Sequence, residues 1–322
     1  MKRNGLNWVG FALALTLILG ASFAFGQEKY PSRPIDFICT WGVGGGSDQM
    51  VRVLGKLAEP FLGVPLPVSN KPGASGNSGT TDLLAAKTDG YTVANYIADT
   101  LCTIPSGTAR YKLDDIEWVV RTQLMPSFLF VKVDGPYATI QDLLKTAKEN
   151  PGKVKVGGLG FNTIDDVCLR FLASKGYRMT LVPNANPGER YAATLGGHND
   201  ALYEQAGDIR QYLDAKQLKP VLVFSEKRFP AFPDVPCTKE LGLEVYLPQF
   251  RCIIAKKGVA PERIKSLSDA FQKAMQTPEW KKFNADQYAS EDSFMGPEQF
   301  RTWVAGEMSA LEKFMKEFGM IK

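Results

Sequence analysis

Ile35-Asp36-Phe37-Ile38-Cys39-Thr40-Trp41-Gly42-Val43-Gly44-Gly45-Gly46-Ser47-Asp48 is the stretch on which the fold turns. Its first five residues read as a buried strand, and the glycines after them make a tight turn. Directly behind the turn, Val51, Leu54, Ala58 and Phe61 recur at three- and four-residue spacing. That spacing predicts a helix with Arg52, Lys56 and Glu59 on its outer face. Strand, glycine turn and helix form the opening unit of a parallel α/β sheet.

Working outward, the unit repeats. Leu66 to Ser69 reads as a strand, Lys71-Pro72-Gly73-Ala74-Ser75-Gly76 as a loop, Ser78 to Ala86 as a helix and Tyr91 to Ile97 as a strand. Ser127 to Val133 is a further apolar strand, and Thr139 caps a helix that stops at Asn150-Pro151-Gly152. The alternation then starts afresh. Val154 to Val156 is a strand, Gly157-Gly158-Leu159-Gly160-Phe161-Asn162-Thr163 a second glycine-rich turn, and Asp165 to Lys175 a helix. Two such turns at matching positions predict two similar lobes. Strands at Met179 to Val182, Asn199 to Tyr203 and Lys219 to Phe224, with helices at Pro187 to Leu195 and Asp208 to Ala215, continue the second lobe. Arg251 to Lys256 is a strand leading back. The closing helix carries an apolar stripe from Phe300 to Phe318 that belongs to the core.

The chain opens with Lys2 and Arg3, an apolar stretch from Trp8 to Leu19, and small residues about Ala24 and Gly26. This is the layout of a secretory signal over residues 1–26, cleaved after Gly26, so that the mature chain starts at Gln27 and is exported. No later segment approaches the roughly 18 apolar residues of a membrane helix. The formal net charge is only +4, and removing Lys2 and Arg3 lowers it further, which argues against nucleic acid as a partner. The five cysteines, Cys39, Cys102, Cys168, Cys237 and Cys252, lack metal-ligand spacing and read mostly as small buried hydrophobes. No cofactor or metal is expected.

One histidine, His198, leaves imidazole-based catalysis little to work with. A rival enzyme acting on a small acid would have to use carboxylates, lysines or tyrosines such as Tyr96 and Tyr203. The Gly42 to Asp48 turn fails both nucleotide-loop spacings, but its exposed N–H groups and helix start favour a carboxylate or phosphate. The loop at Gly73 and Ser75 and the turn at Gly160 to Thr163 share that character. The chain therefore reads as a non-enzymatic binder of a small carboxylate, held by backbone amides and hydroxyls. Trp41, Val43, Gly44, Gly45, Ser47, Asp48, Gly73, Ser75, Gly160, Phe161, Asn162, Thr163 and Tyr203 make up the predicted substrate-binding set, with no catalytic member. Lys71 and Arg251 are the nearest positive charges. Asp48 most simply caps its helix. Asp99, Asp166 and Glu204 are either ordinary surface groups or selectors of a ligand amine.

In these residues the chain resembles the solute-binding receptors of tripartite tricarboxylate transporters, also called the Bug family. Tyr30-Pro31-Ser32-Arg33-Pro34-Ile35 is similar to their mature N-terminus, Asn70-Lys71-Pro72-Gly73-Ala74-Ser75-Gly76 to their Pro-Gly-Ala-x-Gly signature, and Asp89-Gly90-Tyr91-Thr92 to the motif that follows. Ala147 to Lys153 and Phe232-Pro233-Asp234-Val235-Pro236-Cys237 extend the match. The resemblance implies a two-lobed periplasmic-binding-protein fold of type II, with mixed sheets flanked by helices and two crossings between lobes. One discontinuous domain would comprise 27–126 and 251–322, the other 127–250. It implies a periplasmic monomer that delivers its ligand to a small and a large membrane subunit; a sensory subunit of a membrane signalling system is the alternative. The turns at Trp41 to Asp48 and Gly160 to Thr163 would grip the carboxylate. Thr40, Asp166 and Phe250 stand where the family often has proline, histidine and tryptophan, and Asn184 to Gly188 departs from its Tyr-x-Gly form.

Overall fold

The computed structural model describes residues 29–322. The predicted signal segment 1–26 and its predicted cleavage position lie outside them.

The first lobe is built on β1 (Asp36–Cys39), α1 (Gly46–Leu62), β2 (Val68–Asn70), α2 (Asn77–Ala85), β3 (Thr92–Ile97), a single helical turn α3 (Ala98–Leu101) and β4 (Ile116–Met125). The second contains β5 (Phe128–Lys132), α4 (Ile140–Glu149), β6 (Lys155–Gly158), α5 (Ile164–Ser174), β7 (Thr180–Pro183), α6 (Pro187–Leu195), β8 (Ala201–Glu204), α7 (Arg210–Asp214) and β9 (Leu218–Val223). The chain then returns through β10 (Gln249–Lys256) to α8 (Pro261–Met275), α9 (Pro278–Asp286) and α10 (Pro297–Glu317).

The two sheets share one topology. Their strand orders are β2-β1-β3-β10-β4 and β7-β6-β8-β5-β9. In each, three strands run parallel in the order second, first, third. The next strand is antiparallel and comes from the far side of the other lobe's sequence: β10 joins the first sheet and β5 the second. Those two strands carry the crossings.

Local sequence accounts for most elements. Phe37, Ile38 and Cys39 are buried because parallel strands covered on both faces need apolar residues throughout. In α1, Val51, Leu54 and Ala58 face inward, while Phe61, read as the next inward residue, is 44% exposed at the last turn. That helix stops at Gly63, whose φ of 73° is left-handed and favours glycine. Thr139 caps α4, with Asp142 accepting its backbone N–H at 2.8 Å.

The strand β4 was not visible in the apolar pattern, because Arg121, Thr122 and Gln123 interrupt it. All three are buried, and hydrogen bonds make this tolerable. Arg121 donates from Nε to the Ser293 carbonyl at 2.9 Å and lies over the Trp303 ring, while Thr122 Oγ1 donates to the Arg251 carbonyl at 2.9 Å.

α10 ties the lobes together. Near its start, Phe300 packs edge-on against Trp118 of β4; near its end, Phe314 and Phe318 pack against Phe171 of α5. All five cysteines are free and buried.

Candidate functional site

The turn between β1 and α1 is braced from within. Asp48 Oδ2 accepts the Gly44 N–H at 3.0 Å; its Oδ1 accepts from Arg52 Nε at 2.9 Å and from Asn70 Nδ2 at 2.8 Å. Burial alone would raise the Asp48 carboxyl, but the bonds from Arg52, Gly44 and Asn70 outweigh it and hold the carboxyl below its usual value. Asp48 therefore reaches back to fix the turn. Gly46 and Ser47 are buried first residues of α1, and no acceptor among the described residues takes their N–H groups.

The turn between β6 and α5 repeats the brace four residues for four. Asp166 Oδ2 accepts the Asn162 N–H at 2.9 Å, and Oδ1 accepts from Arg170 Nε at 3.0 Å. Aligning Asp48 with Asp166 places Gly44 on Asn162, whose φ is a left-handed 58°, Val43 on Phe161, and Ser47 on Asp165. The last pairing changes the chemistry. Asp165 accepts the Leu159 N–H at 2.5 Å and the Asp166 N–H at 3.2 Å, and also binds the Thr163 hydroxyl. Asp99 of α3 completes the set from the other lobe, accepting the Ile164 N–H at 2.9 Å, and is itself held by Gln249 Nε2. Carboxylates of the chain thus occupy one of the N–H groups expected to serve a ligand, that of Asn162, together with those of Leu159, Ile164 and Asp166 beside it. Burial, reinforced by the neighbouring Asp99 charge, pushes the Asp165 carboxyl up to about 7. Burial pushes Asp99 up to about 6 against the opposing bonds from Gln249 and Ile164.

A cavity of about 30 Å³ lies between the lobes at the first turn. Trp41, Gly45 and Ser47 of the predicted set line it, with Arg251 from β10 and Arg190, Glu204 and Asp208 from the second lobe. Two ion pairs stand in its wall, Arg190–Glu204 and Arg251–Asp208, each at 2.5 Å with side chains no more than 5% exposed. The second pair joins the lobes. Burial works against the Arg251 cation, but Asp208 more than compensates and holds its charge firmly; for Glu204, burial wins over the Arg190 charge and the carboxyl is raised. Three polar atoms buried here have no partner among the described residues: Trp41 Nε1, Arg190 Nε and Asp208 Oδ1.

The other predicted residues fall into four groups. Gly73 and Ser75 lie in a run of positive φ values, 133° at Gly73, 48° at Ala74, 54° at Ser75 and 87° at Gly76. A Cβ built on Gly160 would lie 3.9 Å from Ser75 Oγ, so this loop faces the second turn. Val43 and Phe161 point outward, 69% and 58% exposed, and Gly44, Asp48, Asn162 and Thr163 serve the turns themselves. Tyr203 is the clear departure: its hydroxyl donates to Cys168 Sγ at 3.3 Å and its ring packs on Phe224, inside the second lobe. It sits one residue before Glu204 on β8, and alternation along a strand sends the two to opposite faces. Asp99, Asp166 and Glu204 are all buried, which removes the surface-group reading.

Sequence reasoning missed Arg190, Asp208 and Gln249, and named Arg251 as a candidate positive charge, which the structure places in the cavity wall. The available signal was a charge embedded in apolar strands, Arg251 between Phe250 and Cys252, and Glu204 after Ala201-Leu202-Tyr203. Buried charges of this kind demand partners. The partners lie far away in sequence.

With this geometry in view, comparisons with known proteins are informative. The family described as "Tripartite tricarboxylate transporter family receptor" matches residues 50–320. The "UPF0065 protein in gbd 5'region" of Cupriavidus necator is 30% identical over 327 residues, covering 100% of this chain and 99% of its own. "Protein BugT" of Bordetella pertussis is 27% identical, covering 93% and 94%. Among solved structures, "periplasmic binding protein BugD" superposes with a TM-score of 0.83 at 24% identity, covering 91% of this chain and 100% of that one. MatC from Rhodopseudomonas palustris, solved with bound malate, gives 0.81 at 21% identity, covering 88% and 99%. These structures establish the two-lobed periplasmic-binding-protein fold of type II. No described helix is long and apolar enough to cross a membrane. The chain belongs to the tripartite tricarboxylate transporter receptor family, whose members bind solutes rather than transform them.

Proposed function

We propose that this receptor captures a small carboxylate-bearing solute between its lobes at the start of α1, and hands it to the small and large membrane subunits of a tripartite transporter. The observation that carries the reading is the pair of unclaimed N–H groups at Gly46 and Ser47, set in a cavity whose wall holds two guanidinium–carboxylate pairs. A helix start supplies a positive dipole end, and desolvation strengthens every interaction with an anion there. The cavity of about 30 Å³ is far smaller than the several hundred Å³ of a ligand pocket. Ligand entry therefore requires the lobes to part, and closure reforms the Arg251–Asp208 and Asp99–Ile164 contacts. The lobes we assign are 27–126 with 251–322, and 127–250. In this reading the protein acts as a periplasmic monomer after loss of residues 1–26.

The test is a thermal-shift screen of the purified mature protein against aliphatic, aromatic and amino acids. A ligand at about 100 times its Kd stabilises the folded state by about 2.7 kcal/mol, a readily measured rise in Tm. If no carboxylate of any class produces a shift, the reading is wrong.

A further inference from the structure

We infer that the ligand carries a protonated amine beside its carboxylate, and that Asp208 Oδ1 receives the ammonium. This rests on the cleft reading above and goes beyond it.

The unpartnered atoms in the wall are of both kinds. Gly46 N–H, Ser47 N–H, Trp41 Nε1 and Arg190 Nε are donors awaiting an acceptor; Asp208 Oδ1 is an acceptor awaiting a donor. The Asp208 side chain is 5% exposed. Its Oδ2 is held by Arg251, and a Cβ at Gly46 would collide with its Oδ1, so that oxygen stands against the first residue of α1. A buried carboxylate oxygen left without a donor is costly. One molecule offering both an anion and a donor satisfies the two sets together.

Charge balance selects the kind of donor. Arg190 is neutralised by Glu204 and Arg251 by Asp208, leaving no spare cation in the wall, while Asp99 and Asp165 stand close by in the seam between lobes. A dicarboxylate would bring two uncompensated negative charges into a desolvated space. A zwitterion brings none, and an ammonium on a carboxylate makes a stronger hydrogen bond than a hydroxyl does.

Matched acids that differ only at C2 test this in the unaltered mature protein by calorimetric titration: aspartate, malate and succinate; glutamate, 2-hydroxyglutarate and glutarate; alanine, lactate and propionate. The expected result is that, in each set that binds, the amine member binds at least tenfold more tightly, and that acetylating its nitrogen abolishes the advantage. A hydroxyl or unsubstituted member binding equally well or better overturns the inference while leaving the carboxylate receptor standing. Failure of every amino acid in a screen where another carboxylate binds does the same, and failure of all carboxylates removes both. Asp208→Asn should cut the amine advantage to below about threefold, with folding checked by circular dichroism. An advantage that persists in a folded Asp208→Asn protein overturns the assignment of that oxygen. If the variant does not fold, the matched-acid series still decides.

Discussion

The turn after β1 and the turn after β6 are built on one plan and do different work. Each is anchored by an aspartate that reaches back four residues to a backbone N–H and forward four residues to an arginine: Gly44, Asp48 and Arg52 in the first lobe, Asn162, Asp166 and Arg170 in the second. One residue before the anchoring aspartate the plans diverge. Ser47 leaves the start of α1 open, whereas Asp165 folds its carboxylate back into its own turn and Asp99 crosses from the other lobe to take the next N–H. In the proposed reading the first turn binds the ligand, while the second is partly taken up in its own brace and in the contact between the lobes. A helix start that attracts an external anion attracts an internal one equally well, and at the second turn Asp99 takes the first helical N–H.

The largest effect should come from Gly46→Val, which drives a side chain into the Asp208–Arg251 pair. The expected outcome is loss of ligand binding by 100-fold or more in calorimetric titration. Thr163→Val, at the corresponding turn, should change affinity less than about fivefold while costing about 1 kcal/mol of stability for its lost hydrogen bonds. Equal losses of affinity would erase the functional distinction between the turns.

Asp165→Asn tests the occupied turn through pH. The folded-state pKa values of Asp99 and Asp165 lie above the unfolded value, about 6 and about 7 respectively. Their contribution to stability is therefore fully present in acid, below the unfolded pKa, and is lost as pH rises through the folded values. Between about pH 5 and pH 8 the unaltered protein should lose on the order of 1–3 kcal/mol in urea denaturation. Asp165→Asn should flatten that slope, and an unchanged slope in the variant would remove Asp165 from the account.

Smaller effects should reveal the shared plan. Asp48→Ala and Asp166→Ala each remove a buried carboxylate bonded to a turn N–H and an arginine, and each should cost about 1–2 kcal/mol. A cost confined to one of them, measured by the same denaturation, would show that the two braces are not equivalent. Smallest of all, Val43→Ser and Phe161→Ser alter exposed tips and should leave stability within about 0.5 kcal/mol.

Much of the scaffold was legible in local pattern. The strand, turn and helix of residues 35–62, the Thr139 cap and the extent of α6 follow from periodicity and turn chemistry acting over a few residues. β4 escaped because its buried Arg121, Thr122 and Gln123 are hydrogen-bonded to groups more than a hundred residues away. Tyr203 was misplaced for a related reason. Period-two alternation separates it from Glu204, but which face meets the cleft depends on how the second sheet is stacked.

By itself the sequence determined two repeated α/β units with glycine-rich turns at matching positions, because strands, helices and tight turns are set by residues that are neighbours along the chain. Only the tertiary structure decided which turn remained open. That choice rests on Asp99 meeting Ile164 and Arg251 meeting Asp208 across two lobes, and the burial that makes those charges consequential exists only once the lobes come together.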